Sequence, residues 1–139
     1  MVSTVSINYL AVLVAAIVSM VIGFLWYGPI FGKAWMRLMK IDKKKIDEAK
    51  KKGMTTSYVV MFISALIMNY VLAHFVKYLG SRTFMDGMQA GFWLWLGFIA
   101  TVQVGIVLWE GKPVKLYLIN AAHYLVALMV TGGILAIWP

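Results

Sequence analysis

Four apolar runs, each long enough to cross a bilayer, alternate with polar connections along the chain. They cover about 7–27, 55–77, 87–109 and 114–138. An α-helix rises about 1.5 Å per residue, so about 20 residues span the hydrocarbon core. The pattern predicts an all-α, four-helix transmembrane bundle forming one integral membrane domain over residues 1–139. One polar segment, about 29–53, is longer than the others and opens differently. Ile30, Phe31, Ala34, Trp35, Leu38 and Ile41 share one side of a helix, and Lys33, Arg37, Lys40 and Lys44 share the other. That predicts an amphipathic interfacial helix after the first span, with its apolar face in the headgroup boundary. Gly28-Pro29 is expected to end the span before it, because proline lacks an N–H and suits the first turn of a new helix. A hydrophilic connector from Asp42 to Gly53 follows.

Composition strengthens the membrane reading. Of 139 residues, 63% are hydrophobic and 13% charged, against about 45–50% and about 25% in soluble domains. Mean hydropathy is +0.85. No Lys or Arg precedes the first apolar run, which is also too long for the core of a signal peptide, so it is expected to stay as a span. The net charge of +8 is placed unevenly. Lys33 through Lys52 holds nine cations, and Lys112 and Lys115 add two on the same side. The other side has Lys77 and Arg82. The positive-inside rule then predicts a plasma-membrane protein with both termini outside and the basic segment in the cytoplasm, against anionic lipid. Trp26, Tyr27, Lys33, Trp35 and Arg37 are its expected lipid-interface anchors. The basic run has no aromatic interleaving, which argues against nucleic acid as a partner.

Small residues recur on two spans. Ala11, Ala15, Ser19 and Gly23 fall every fourth residue on the first. Ala90, Gly97, Thr101 and Gly105 fall near one stripe of the third. Such ridges let helix backbones approach closely, and they are the expected packing faces. Gly132-Gly133 reads as a locally thin or flexible point in the last span.

Polar side chains inside a membrane are costly and are the default places to look for chemistry. Asn120 and His123 lie three apart on one helix face, and Gln103 is expected at the same depth across the hairpin of the last two spans. With Asn69 these form the candidate intramembrane polar cluster. The other reading is that such amides and imidazoles hold helices together by hydrogen bonds of about 0.6–2 kcal/mol. No catalytic residue can be assigned. The five acidic residues lie in connections or at span ends, which removes a triad and carboxylate-based proton coupling. Two histidines and no cysteine make a poor metal set. No phosphate-binding loop or cofactor signature is present.

Gly23-x-x-Trp26-Tyr27-x-Pro29-x-Phe31-Gly32-Lys33-x-Trp35, with Asn8, Leu116-Tyr117-x-x-Asn120 and Tyr124, resembles a family of small prokaryotic membrane proteins known as domain of unknown function 1761. The resemblance covers nearly the whole chain and implies a four-span bundle with no stated activity. The family motif carries serine where this chain has Gly28. A further echo links Trp26-Tyr27-Gly28-Pro29 to Trp109-Glu110-Gly111-Lys112-Pro113, and reads as reuse of one helix-ending chemistry. The functional expectation is a non-enzymatic protein, without cofactor, that self-associates as a homo-oligomer through its small-residue faces. The alternative is a small channel or transporter with a polar track through the bundle.

Overall fold

The computed structural model describes residues 5–139, and all regular elements among them are helical. The first helix, α1 (Tyr9–Leu25), starts at Asn8, whose Oδ1 accepts from the N–H groups of Leu10 and Ala11 at 3.1 Å each. This cap satisfies two of the donors a helix start leaves unpaired. The helix does not stop at Gly28-Pro29. It continues through a π turn, Trp26–Ile30, that contains Pro29. In a π turn the bonds run i to i+5, and the Phe31 N–H donates to the Trp26 carbonyl at 2.8 Å. The widened turn accommodates the proline's missing donor. The direction changes at Phe31 (φ −119°, ψ 7°). There Gly32 lies so close to the Tyr27 carbonyl that a Cβ would stand 2.7 Å from its oxygen.

The segment after the first span is two short helices, α2 (Gly32–Leu38) and α3 (Lys43–Lys52). Lys40 between them is left-handed (φ 56°). Its N–H donates to Arg37 O at 3.2 Å, and that of Ile41 to Met36 O at 2.9 Å, the usual double closure of a helix end. Asp42 then caps α3 by accepting from the Lys45 N–H at 2.9 Å. Lys44 therefore belongs to a different helix from Lys33 and Arg37, and most of the expected connector is helical.

The helix α4 (Thr55–Tyr78) leads to α5 (Phe84–Trp95). A capping box opens α5: Thr83 Oγ1 accepts from the Asp86 N–H at 3.1 Å, and Asp86 Oδ2 accepts from the Thr83 N–H at 3.3 Å. A second π turn, Leu96–Ala100, joins α5 to the short helices α6 (Thr101–Gln103) and α7 (Gly105–Leu108). The last helix is α8 (Val114–Ile137). Tyr9–Ile30, Thr55–Tyr78, Phe84–Leu108 and Val114–Ile137 are each long and apolar enough to cross a membrane, as in a multi-span membrane protein.

The centre of the bundle is α8, which packs against α1, α4 and α5. Ala11, Ala15 and Ser19 are buried, and the two alanines join a core with Leu72, Ala73 and Val76 of α4 and Leu128, Leu135 and Ala136 of α8. The closest approach is between α5 and α8. A Cβ on Gly87 would stand inside the Gly132 carbonyl, and one on Gly91 inside that of Leu128. Two helices meet here backbone to backbone, as small residues allow. Gly132 is therefore a packing residue and not a flexible point, and Gly133 receives the ring of Phe84.

Residues on the third span do not form one stripe. Ala90 is buried, Gly97 and Thr101 are exposed, and Gly105 is half-buried. The π turn between them is the reason. One extra residue in a turn rotates everything beyond it by about 100°.

Candidate functional site

Two indoles grip α8 within a turn of one another. Trp26, first residue of one π turn, donates from Nε1 to Ile119 O at 2.9 Å. Trp95, immediately before the other π turn, donates from Nε1 to Ala121 O at 2.7 Å. Two phenols add to them. Tyr27 Oη donates to Asn120 Oδ1 at 2.8 Å, and Tyr117 Oη donates to Ala100 O at 2.7 Å. Ala100 closes the second π turn, where the change of bonding register leaves carbonyls in need of donors. Both widened turns are thus tied to the segment of α8 between Tyr117 and Ala121.

One helical turn further along α8 stands His123, 9% exposed. Its ring lies among aromatic neighbours: Tyr124 at 4.7 Å between centroids, Tyr27 at 5.1 Å and Trp26 at 6.3 Å. Nδ1 and Nε2 are both buried, and neither has a hydrogen-bond partner among the described residues. Gly23 leaves the space beside the imidazole, since a Cβ there would sit 3.5 Å from Nε2. His123 forms part of the wall of a cleft of about 490 Å³ between α1, α4 and α8, bounded by Gly23, Phe24, Tyr58, Met61 and Tyr124 among others. Phe24, Tyr58 and Met61 are half exposed at its mouth.

The polar residues singled out from the sequence are brought together only in part. Asn120 and His123 share this region with Tyr27. Asn69, fully buried, donates from Nδ2 to Ser19 Oγ at 3.1 Å and to Ala65 O at 2.9 Å, and its Oδ1 has no partner. Ser19 and Ala65 both line the cleft, so Asn69 braces its wall. Gln103 stands apart: its buried Oε1 and both imidazole nitrogens lack partners, so no Gln103–His123 bond exists. The π turn at Leu96–Ala100 shifts the face that Gln103 presents by about 100° relative to an unbroken helix.

The expected lipid-interface anchors lie in α2 and in the π turn before it. Trp26 and Tyr27 turn their polar atoms inward onto α8. Lys33 and Arg37 are exposed, and Trp35 packs edge-on against Tyr27 at 5.6 Å. Trp95, which the sequence did not single out, is the counterpart of Trp26. Trp109, which the sequence echo had paired with Trp26, is 88% exposed. No spacing rule marks Trp95, because its role depends on a turn that hydropathy does not reveal. Gly28 has no atom within 4 Å of where a Cβ would stand, so the serine of the related pattern would fit there. Asn8 Nδ2 donates to Pro139 O at 3.1 Å, tying the start of α1 to the end of the described chain.

Among the described residues, no three or more His, Cys, Asp or Glu side chains are grouped to hold a metal ion. The family described as Protein of unknown function (DUF1761) matches residues 10–136. No curated protein and no solved structure matches the chain. Of the residues that carry the motif, Gly23, Trp26, Tyr27 and Tyr124 stand around His123, and Asn120 is bonded to Tyr27.

Proposed function

The chain belongs to that family, whose description assigns no activity, and we propose that it is a non-enzymatic membrane protein that self-associates through the outer face of its third span. The observation that carries this reading is Gly97. The first small-residue ridge is covered by α4 and α8, whereas Gly97 lies open with no atom within 4 Å of a Cβ position. It sits on Phe84–Leu108, the span that the fold covers least, where Phe98 and Val102 are also exposed. A second copy would bring backbone to backbone there, as α5 and α8 already do.

The cation asymmetry supports a plasma-membrane orientation with both termini outside. Exposed Lys33 and Arg37 beside half-buried Trp35 support an interfacial α2 that meets anionic lipid. The polar-track alternative gains no support from the geometry, since Asn69 and Asn120 bond to neighbouring side chains and Gln103 is separate. The test uses the chain's lack of cysteine. Gly97→Cys should crosslink in native membranes under mild oxidation, and Ile67→Cys on α4 should not. Absence of the Gly97→Cys crosslink, with a monomer by native mass spectrometry, overturns the reading.

A further inference from the structure

We propose that the cleft between α1, α4 and α8 binds a neutral, planar, lipid-soluble molecule whose ring carries a carbonyl or hydroxyl group, the chemistry of a quinone or quinol, with His123 as its hydrogen-bonding partner. The site does not rest on self-association, because all its walls come from one copy of the chain.

Three observations carry the assignment. The first is the imidazole. A neutral imidazole offers one donor and one acceptor, and here both nitrogens are buried without a partner. Leaving such groups unpaired is costly in a low-dielectric interior. A carbonyl or hydroxyl entering the cleft would pair one of them once the ring turns to bring that nitrogen to the cleft surface. The second is the lining. Phe24, Tyr58 and Tyr124 supply aromatic rings, and Met20, Met61 and Met68 supply thioethers. Flat rings stack against such walls, and methionine sulfur makes favourable contacts with ring edges. No charged side chain lines the space, so a charged ligand would be left uncompensated. The third is access. The cleft volume of about 490 Å³ falls in the usual range for small-molecule sites. Its half-exposed rim of Phe24, Tyr58 and Met61 belongs to spans that cross the bilayer in this reading, so a bilayer-dissolved molecule reaches it laterally. Gly23 completes the arrangement, because a Cβ there already lies 3.5 Å from Nε2 and a long side chain such as leucine would extend into the space.

The test is binding of decylubiquinone to the full chain in lipid nanodiscs, read by quenching of intrinsic tryptophan fluorescence against empty discs. Trp26, with its ring 6.3 Å from His123, is the expected reporter. Saturable quenching is expected for wild type. His123→Phe, which keeps the ring shape and loses the hydrogen bond, should bind roughly tenfold more weakly. His123→Gln restores a donor and an acceptor and should recover part of the loss. Gly23→Leu should abolish saturation while circular dichroism remains helical. Decanol, which has a hydroxyl but no ring, should not displace the probe. The proposal is overturned if folded wild type shows only linear partitioning, if His123→Phe and Gly23→Leu bind like wild type, or if decanol competes on equal terms. If Gly23→Leu does not fold, the pair His123→Phe and His123→Gln still decides.

Discussion

At the end of the bundle that holds Phe84, Gly87 and Gly132, helices meet backbone to backbone. At the other end, around Trp26 and His123, aromatic side chains stand between them. The first end is tightly packed, and its close contacts are made by glycine and alanine. The second contains both π turns, the cleft and the imidazole without partners. One chain thus solves helix association in two ways. Close van der Waals packing at small residues needs no polar atoms but tolerates no added volume. Long side chains reaching carbonyls hold helices further apart and leave space.

Glycine substitutions should break this comparison most sharply. Gly91→Leu places side-chain atoms on the Leu128 backbone and should cost about 3 kcal/mol or more, since neither backbone can yield. Reversible unfolding in mixed micelles would measure it, and a near-wild-type midpoint would show that α5 and α8 are not in backbone contact. At the open end, Tyr27→Phe leaves Asn120 Oδ1 without its donor and should cost about 1–2 kcal/mol in the same assay. Trp26→Phe and Trp95→Phe should each cost about 1 kcal/mol. Similar losses for the two would support equivalent roles, and a silent Trp95→Phe would remove the counterpart relation. The smallest effects belong to Gly23→Ala and Gly97→Ala. A Cβ at Gly23 makes only ordinary contact and one at Gly97 meets nothing, so both should stay within about 1 kcal/mol of wild type, helped by alanine's helix propensity. A large loss at Gly97 in a monomeric preparation would mean that the third span is covered within the chain.

The four spans were legible because apolar length is a direct consequence of bilayer thickness. The buried face of α1 was legible too, since an uninterrupted helix keeps its phase from Ala11 to Ser19. What hydropathy could not reveal is where a helix adds a residue to a turn. Leu96–Ala100 is as apolar as the turns beside it, so nothing in the hydropathy pattern marks the phase change at Thr101, Gln103 and Gly105. Pro29 misled for a related reason, because its usual effect on a helix is absorbed by the wider turn. The pairing of Gly87 and Gly91 with Gly132 lies off the small-residue stripe that starts at Ala90, so that stripe does not reveal it. Trp26 and Tyr27 were placed on the membrane interface by residue type, whereas acceptors on α8, more than ninety positions away in the chain, turn them inward.

The second π turn also bears on how chains of this kind should be compared. Between Trp95 and Thr101 the helix holds one residue more than an α-helical path needs. Deleting a single position there would leave the span helical and its hydropathy profile almost unchanged. The helix beyond would keep its facing, because the deletion removes the residue that the widened turn absorbs, and the same side chains would meet α8. A one-residue gap at 96–100 in an alignment therefore marks the loss of the widened turn with the helix beyond unrotated, whereas an ungapped match to an unbroken helix would place the residues beyond it about 100° apart in facing.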